Sequence, residues 1–536
     1  MKIKKVSIKN FKCLGPVPVV LDFSDDIVVL VGENNVGKSS FLKALNIFFS
    51  GTKTMPTEYF RNKKNDQENA VVIEVTFNDL SDGDKAHQAV SPYISTENDE
   101  NLWILRKTYY YSEDGKGKCD YEAFTNGVGK KNPSGFNSIC DDLFTDEKMQ
   151  KIYVESVKHV SEVADGNSKA VFGQLFNLIL RSELETTDEF KSLMAAFSKY
   201  SELFKGKSQL PKIKEVEDKI TEKLSRIIKG KGIIDADVPK IEKVLPLPVL
   251  SSNDGGEINV VPEEQGSGFQ RALIFVLLEL FAESKSPDTK YVGPRNLLLI
   301  EEPEVYMHPQ MERKIADVLY EIAASGKAQV ICTTHSPIFI RPLESARSVV
   351  RVCKDEYGAV SIIQKSEDIF SGDNGKRKTI RMLMNFDASV NELFFAKRVV
   401  LLEGDTESFI FSRAAGLLGI FNDHPEKKRE VSLINCRGRD SIPLFQAVLN
   451  FYEIPYIVVH DLESQAAGEG KNAEILQLLD SDEKKRMYFN KKIEDVLEIS
   501  EGGRKWLKAI ERVEELHASN ELDTKIGSFV RFVYGV

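Results

Sequence analysis

The 536-residue chain contains no apolar run approaching the roughly 20 residues that span a bilayer, so no membrane partner is expected. It also lacks a C-x-x-C pair. Its six cysteines stand singly at 13, 119, 140, 332, 353 and 436, which argues against structural zinc and a disulfide framework. Reduced thiols in a cytoplasm are the expectation. The N-terminus, MKIKKVSIKNF, is basic but alternates like a strand, with no continuous apolar core or small-residue cleavage site, so no secretory signal is read. Internal repeats and low-complexity tracts are missing too. Nor is there a positive balance: 72 Lys and Arg against 82 Asp and Glu give a net charge of −10, which argues against indiscriminate polyanion binding. Residues 205–232, GKRKTIR (375–381), KKR (427–429) and KKRMYFNKK (484–492) are locally basic. Each alone reads as a solvated face; several flanking an acidic cluster would gain weight as nucleic-acid contacts.

Apolar content of 42% and charged content of 29% are those of a globular protein, and the length exceeds one ordinary core. VSIKNF, VPVVLDF and DIVVLVG read as three short strands, the last two meeting at a turn around Asp25 and Asp26, and SSFLKALNIFF reads as a helix. Strand patterns resume at AVVIEVTF (70–77) and LWILRKTYYY (102–111). From about 143 to 245 the pattern turns to helical periods, as in VFGQLFNLILRSEL and VEDKITEKLSRIIKG, and reads as an insertion. A second strand–helix alternation starts near 395, with apolar runs typical of a parallel sheet covered on both faces. The expected division is 1–142 and 246–394 for one α/β domain, 143–245 for the helical insertion, and 395–536 for a separate α/β domain.

GENNVGKS (32–39) fits G-x-x-x-x-G-K-[ST] between a strand and a helix. Gly32, Asn35 and Gly37 belong to a loop whose backbone N–H groups face phosphates. Lys38 would reach the β and γ phosphates, Ser39 would give its hydroxyl to Mg²⁺, and Ser40 continues the helix start. LLLIEEPE (297–304) is a buried strand delivering carboxylates to its end. There Glu301 would hold magnesium through water and Glu302 would polarise the attacking water. His335, ending another apolar strand in TTHSP, suits a γ-phosphate sensor.

VVLLEGDTESFIF (399–411) ends a strand at Glu403, turns at Gly404 and places Glu407 on the first turn of a helix. PYIVVHDLES (455–464) ends a second strand with Asp461 and Glu463 two apart, hence on one strand face. Four carboxylates at the ends of neighbouring parallel strands suit Mg²⁺ or Mn²⁺. Glu494 is a weaker candidate.

The order P-loop, SGFQ (267–270), IEEPE and a histidine after a strand resembles ABC-type ATPase heads of the RecF and structural-maintenance group. That resemblance implies dimerised heads, with Ser267, Gly268 and Gln270 of one subunit covering ATP held by another and the insertion as a dimerisation element. E-G-x-x-E followed by D-x-E resembles the TOPRIM domain, although the second motif is more often D-x-D. The combination resembles the OLD (overcoming lysogenisation defect) nucleases, which include the Gabija nuclease subunit. The resemblance implies an ATP-binding, Mg²⁺- or Mn²⁺-dependent DNA endonuclease or nickase in anti-phage defence, working as a homodimer or higher oligomer. It implies a partner such as a helicase or a retron reverse transcriptase with its DNA, and a late lysine, Lys505 or Lys508, set against transition-state charge. Topoisomerases need a nucleophilic tyrosine on a separate domain, and bacterial-type primases a cysteine-rich zinc module. The rival functions are a non-enzymatic RecF-like DNA-binding ATPase and an ATP-gated toxin acting on RNA.

Overall fold

The computed structural model describes residues 1–131, 136–145, 150–155, 187–204, 209–225, 233–234, 267–283, 296–342, 346–365, 367, 369, 373, 375–376, 378–380, 388–462, 465–490, 492–499 and 505–536. Contacts divide the chain into two units, residues 1–156 with 292–536 and residues 157–291. In the second unit the described elements are the helices Asp188–Glu202, Pro211–Ser225 and Ser267–Glu283. The periodicity read in VFGQLFNLILRSEL falls outside the described residues.

Within the first unit, alternation builds an antiparallel sheet. Its strands are β1 (Lys2–Lys9), β2 (Val19–Asp22), β4 (Val71–Asn78), β5 (Ile94–Glu97), β6 (Glu100–Tyr109), β7 (Cys119–Thr125) and β8 (Val128–Lys131). They run in the order β2-β1-β4-β6-β7-β8, with β5 beside β6. A register shift between Ile3 and Lys5 explains why the buried residues of β1 are Ile3, Val6 and Ile8 rather than a strict alternation.

The second sheet carries the nucleotide motifs. It comprises β3 (Ile27–Val31), β9 (Gln150–Val154), β10 (Asn296–Glu301), β11 (Ala328–Thr333), β12 (Val349–Lys354) and β13 (Val360–Ile363), ordered β13-β12-β3-β11-β10-β9. The sequence reading joined β2 and β3 at one turn, but they lie in different sheets. β2 alternates buried and exposed residues, as a half-covered strand must, whereas all five residues of β3 are buried. A second correction concerns β9. The segment QKIYV falls where helix was expected, yet it pairs in parallel with β10 and buries Ile152 and Val154.

The helix Lys38–Phe48 lies between these sheets, where Phe41, Leu42, Leu45 and Phe48 are buried with Val6, Leu30, Val75 and Trp103. Two lysines hold its C-terminal end. Buried Lys107 donates to the carbonyl of Phe48 at 2.7 Å, and Lys151 to that of Asn46 at 3.0 Å. Cations there complement the negative end of the helix dipole.

The last 140 residues form a third, fully parallel sheet of β14 (Arg398–Leu402), β15 (Val431–Asn435), β16 (Tyr456–Asp461) and β17 (Arg486–Phe489), ordered β15-β14-β16-β17. Val400, Leu402, Ile457 and Val459 face a core shared with the helices Asp405–Leu417, Lys505–Ala518 and Ser528–Tyr534.

Among the described residues, this domain meets the elements around the second sheet at two places. Arg351 of β12 donates to the carbonyls of Tyr452 and Glu453, at 3.3 and 2.7 Å, in the turn that leads into β16. The Tyr452 hydroxyl returns a bond to the Ala346 carbonyl at 3.1 Å. Ahead of β14, the Asn391 side chain donates to the carbonyls of Pro337 and Ile340, and the Phe395 ring lies 6.0 Å from that of His335.

Candidate functional site

The nucleotide motifs meet at the carboxyl ends of three adjacent strands. β3 runs into the P-loop, β11 into His335 and β10 into Glu301 and Glu302. Gly32 has φ 143° and its α-carbon faces the Val352 carbonyl so closely that a Cβ would collide with it. Gly37, with φ 111°, caps the helix Lys38–Phe48 and would place a Cβ 2.7 Å from the Cys13 sulfur. Asn35 adopts the left-handed conformation with φ 63°. The Lys38 ammonium folds back onto the carbonyls of Gly32 and Glu33, at 2.9 and 2.8 Å. Burial lowers its pKa to about 8, against the opposing pull of Glu302, Glu304 and Glu33. Ser39 is half-buried at the helix start, while Ser40 is buried with its hydroxyl 3.4 Å from Cys13 Sγ.

Glu301 is buried and accepts a 2.8 Å hydrogen bond from the Tyr153 hydroxyl. Glu302 has φ 43°, a conformation costly for a residue with a Cβ. It is held there by its N–H, bonded to the Thr333 carbonyl at 2.9 Å. His335 Nε2 lies 3.8 Å from Glu302 Oε1, and burial followed by the Lys38 charge lowers the imidazole pKa. The sequence reading passed over Glu304. Its carboxylate accepts the His335 N–H at 2.6 Å and the Thr334 hydroxyl at 2.9 Å, fixing the loop that carries the histidine. Ser267, Gly268 and Gln270 open the helix Ser267–Glu283; their side chains are outside the described residues.

The second cluster forms at the ends of β14 and β16. One carboxylate oxygen from each of Glu403, Glu407 and Asp461 falls within 4.8 Å of the others. The Asp461 N–H donates to Glu403 Oε1 at 2.7 Å, so the two strand ends are directly coupled. Gly404 is extended, with φ −151°, so a tight turn is not its role. A Cβ at 404 would lie 3.2 Å from Glu407 Oε2, so glycine leaves room for the carboxylate. Asp405 and Glu407 occupy the first turn of the helix Asp405–Leu417, where backbone N–H groups favour negative charge. Asp405 Oδ1 also accepts from the Asn435 side chain at 2.6 Å, and the Gly438 N–H bonds the Glu403 carbonyl at 2.7 Å. The loop after β15 thereby braces the end of β14.

Crowding these carboxylates has an electrostatic consequence. Burial, then Glu403, Glu407 and Glu494, raises the Asp461 pKa from 3.8 to about 8, and burial chiefly raises that of Glu407. Asp461 Oδ1 is buried and has no hydrogen-bond partner among the described residues. A hard divalent cation satisfies both conditions, since it takes carboxylate oxygens and favours their ionised form. Glu463 lies outside the described residues. Glu494 acts on both Asp461 and Glu407 and pairs with Lys505 at 3.7 Å. Lys508 is half-buried one turn further along the helix Lys505–Ala518.

Comparison with known proteins matches two parts of the chain to two family models. Residues 1–340 match the family model described as an AAA ATPase domain, well over half of the chain. The chain belongs to that ATPase family. Residues 394–462 match the model described as an overcoming lysogenization defect protein-like TOPRIM domain. The Old nuclease of Escherichia phage P2 is 22% identical over 86% of this chain and 77% of its own length. The OLD nuclease of Thermus scotoductus is 25% identical over 92% and 88%, and the endonuclease GajA of Bacillus cereus VD045 is 23% identical over 77% and 67%. Among solved structures, the chain is similar to an Smc head bound to the C-winged helix domain of ScpA, with a TM-score of 0.40 and 15% identity. That likeness covers 68% of this chain and 98% of the Smc head. In this ATPase family member the P-loop lies within the ATPase match, and Glu403, Glu407 and Asp461 lie within the TOPRIM-like match.

Proposed function

We propose that the protein is an ATP-regulated, divalent-metal-dependent DNA endonuclease or nickase. The convergence of Glu403, Glu407 and Asp461 at neighbouring strand ends carries the reading. Glu403 and Asp461 would bind Mg²⁺ or Mn²⁺ from two strands, with Glu407 from the helix start and Glu463 completing the set. Divalent cations bound there supply an activated water nucleophile and neutralise charge on the phosphate and the leaving oxygen. The chain's own contribution is to fix the carboxylates before substrate arrives. The Asp461 N–H orients Glu403, and Gly404 leaves space for Glu407. Lys508 is assigned to charge on the cleaved phosphate.

At the head, Lys38 and the P-loop N–H groups would take the phosphates of ATP, Ser39 and Glu301 its Mg²⁺, and His335 the γ-phosphate, with Glu302 orienting water. The assignment extends to a homodimer or higher assembly built through residues 143–245, and to a role in defence against phage. The named nuclease relatives and the TOPRIM match support the cutting function.

The test is incubation of purified protein with supercoiled plasmid and Mg²⁺ or Mn²⁺ across an ATP titration. Nicked or linear product is expected, with Glu403→Ala abolishing it while ATP binding persists. Absence of product under every metal, with and without ATP, would favour the non-enzymatic RecF-like ATPase instead.

A further inference from the structure

Beside the acidic cluster two large aromatic side chains lie open to solvent. Phe409, on the helix Asp405–Leu417, is 43% exposed, and Trp506, on the helix Lys505–Ala518, is 46% exposed. Their rings sit 5.7 Å apart with planes at 37°. The two helices pack against each other through Ile410, Phe411, Ala414, Ala509 and Val513, all fully buried. Arg413 and Glu514 clasp the same edge at 2.6 Å. The rings are therefore held in place, although a core position would remove far more of their apolar surface from water.

Two observations indicate what covers them. The first is continuity with the cluster. Phe409 is two residues from Glu407 and so leaves the opposite side of their shared helix; what ties the rings to the cluster is the packing of that helix against the one whose Lys505, next to Trp506, reaches Glu494 at 3.7 Å. The second is charge. Trp506 follows Lys505, which reaches Glu494 at 3.7 Å on the margin of the cluster, and Lys508 is on the next turn of the same helix. Aromatic faces interleaved with lysines beside a phosphodiester-cleaving centre match the surfaces that grip unpaired nucleic acid: lysines follow the backbone while bases stack on rings.

We propose that Phe409 and Trp506 form a stacking platform for an unpaired base of the DNA strand being cut, one or two nucleotides from the scissile phosphate. The inference rests on the nuclease reading and deepens it by naming the substrate class: single-stranded DNA, or duplex with a frayed, flapped or mismatched stretch. A perfect duplex keeps its bases stacked inside and cannot use the platform without the cost of unstacking.

The experiment places 2-aminopurine, whose emission falls when it stacks, at successive positions of a single-stranded oligonucleotide. The full-length protein is titrated in with Ca²⁺ in place of Mg²⁺, and gels verify that the oligonucleotide stays intact. Wild type should quench one or two adjacent positions. Trp506→Ala should remove that quench, weaken oligonucleotide binding about tenfold, the scale of one lost base stack, and erase any preference for unpaired over fully paired substrate. Trp506→Phe should retain most of each property. Unchanged ATP binding and thermal unfolding in Trp506→Ala would show that the fold is intact. Equal quenching and affinity in wild type and Trp506→Ala overturn the proposal. So does a fall in assembly mass by light scattering with oligonucleotide affinity unchanged, since the rings would then cover a second copy of the chain. If wild type cuts no DNA at all, the nuclease reading itself fails, a result separable from both.

Discussion

Replacing Asp461 with asparagine should stabilise the metal-free protein while destroying its response to divalent cations. Asp461 is 5% exposed, and burial, reinforced by Glu403, Glu407 and Glu494, raises its pKa to about 8 against 3.8 for an ordinary aspartate. The sign follows from linkage. A carboxyl group whose folded pKa is raised costs nothing below pH 4, costs progressively more as pH rises towards 8, and then a constant amount. At about pH 7 the interval above 3.8 is roughly three units, which at about 1.36 kcal/mol per unit gives about 4 kcal/mol. Solvent at the mouth of the site screens part of this, leaving about 2 kcal/mol for asparagine to recover. Such a gain raises the melting temperature by about 4 to 8 °C for a domain of 150–250 residues. The Asp461→Asn variant would keep the backbone N–H that Glu403 accepts and would hold the position neutral at every pH, as protonated Asp461 is below about pH 8.

The assay is thermal unfolding with EDTA and with Mg²⁺ at a series of pH values. Wild type should melt below Asp461→Asn in EDTA, the gap should narrow towards about pH 4, and Mg²⁺ should raise the melting temperature of wild type only. A metal-free Asp461→Asn that melts below wild type at about pH 7, or that gains as much from Mg²⁺, would refute the electrostatic account of this cluster.

Two further outcomes concern the head. Lys38→Ala removes the ammonium group that faces the P-loop carbonyls and should weaken ATP binding at least tenfold by fluorescent-nucleotide titration. Its Mg²⁺-dependent thermal shift at the acidic cluster should remain. Glu302→Gln keeps the side chain's size but not its basicity, so ATP affinity should hold within about threefold. Phosphate release should meanwhile fall by about 100-fold or more.

Much of the site was legible because its residues are close in sequence and sit at element ends. The Glu403–Glu407 spacing and the apolar run before Asp461 announce a strand, a loop and a helix start in a few residues each. What escaped depends on contacts between distant segments. Tyr153 reaches Glu301 from β9, whose five residues are too short to stand out beside helical periodicity. Nothing in the residue pattern signals that β2 and β3 leave one turn for different sheets, because hydrogen-bond partners are tertiary choices. Phe409 and Trp506, almost a hundred residues apart, each look like ordinary core positions on an amphipathic helix. Lys107 is the opposite case: a charged residue within a strand pattern is buried under Phe48, Tyr121 and Phe144.

The anchoring of the last sheet makes each of its two central strands a lever arm. β14 departs from beside His335 and ends at Glu403, and β16 departs from the turn gripped by Arg351 and ends at Asp461. At about 3.3 Å per residue each arm is roughly 17 to 20 Å long. The two arms are paired backbone to backbone from Val399 to Leu401 and joined at their tips by the Asp461 N–H, so a displacement at either base is carried to both carboxylates together. At that length a tilt of about three degrees at the base displaces the acidic cluster by about 1 Å, the scale of misplacement that slows bond cleavage about 100-fold.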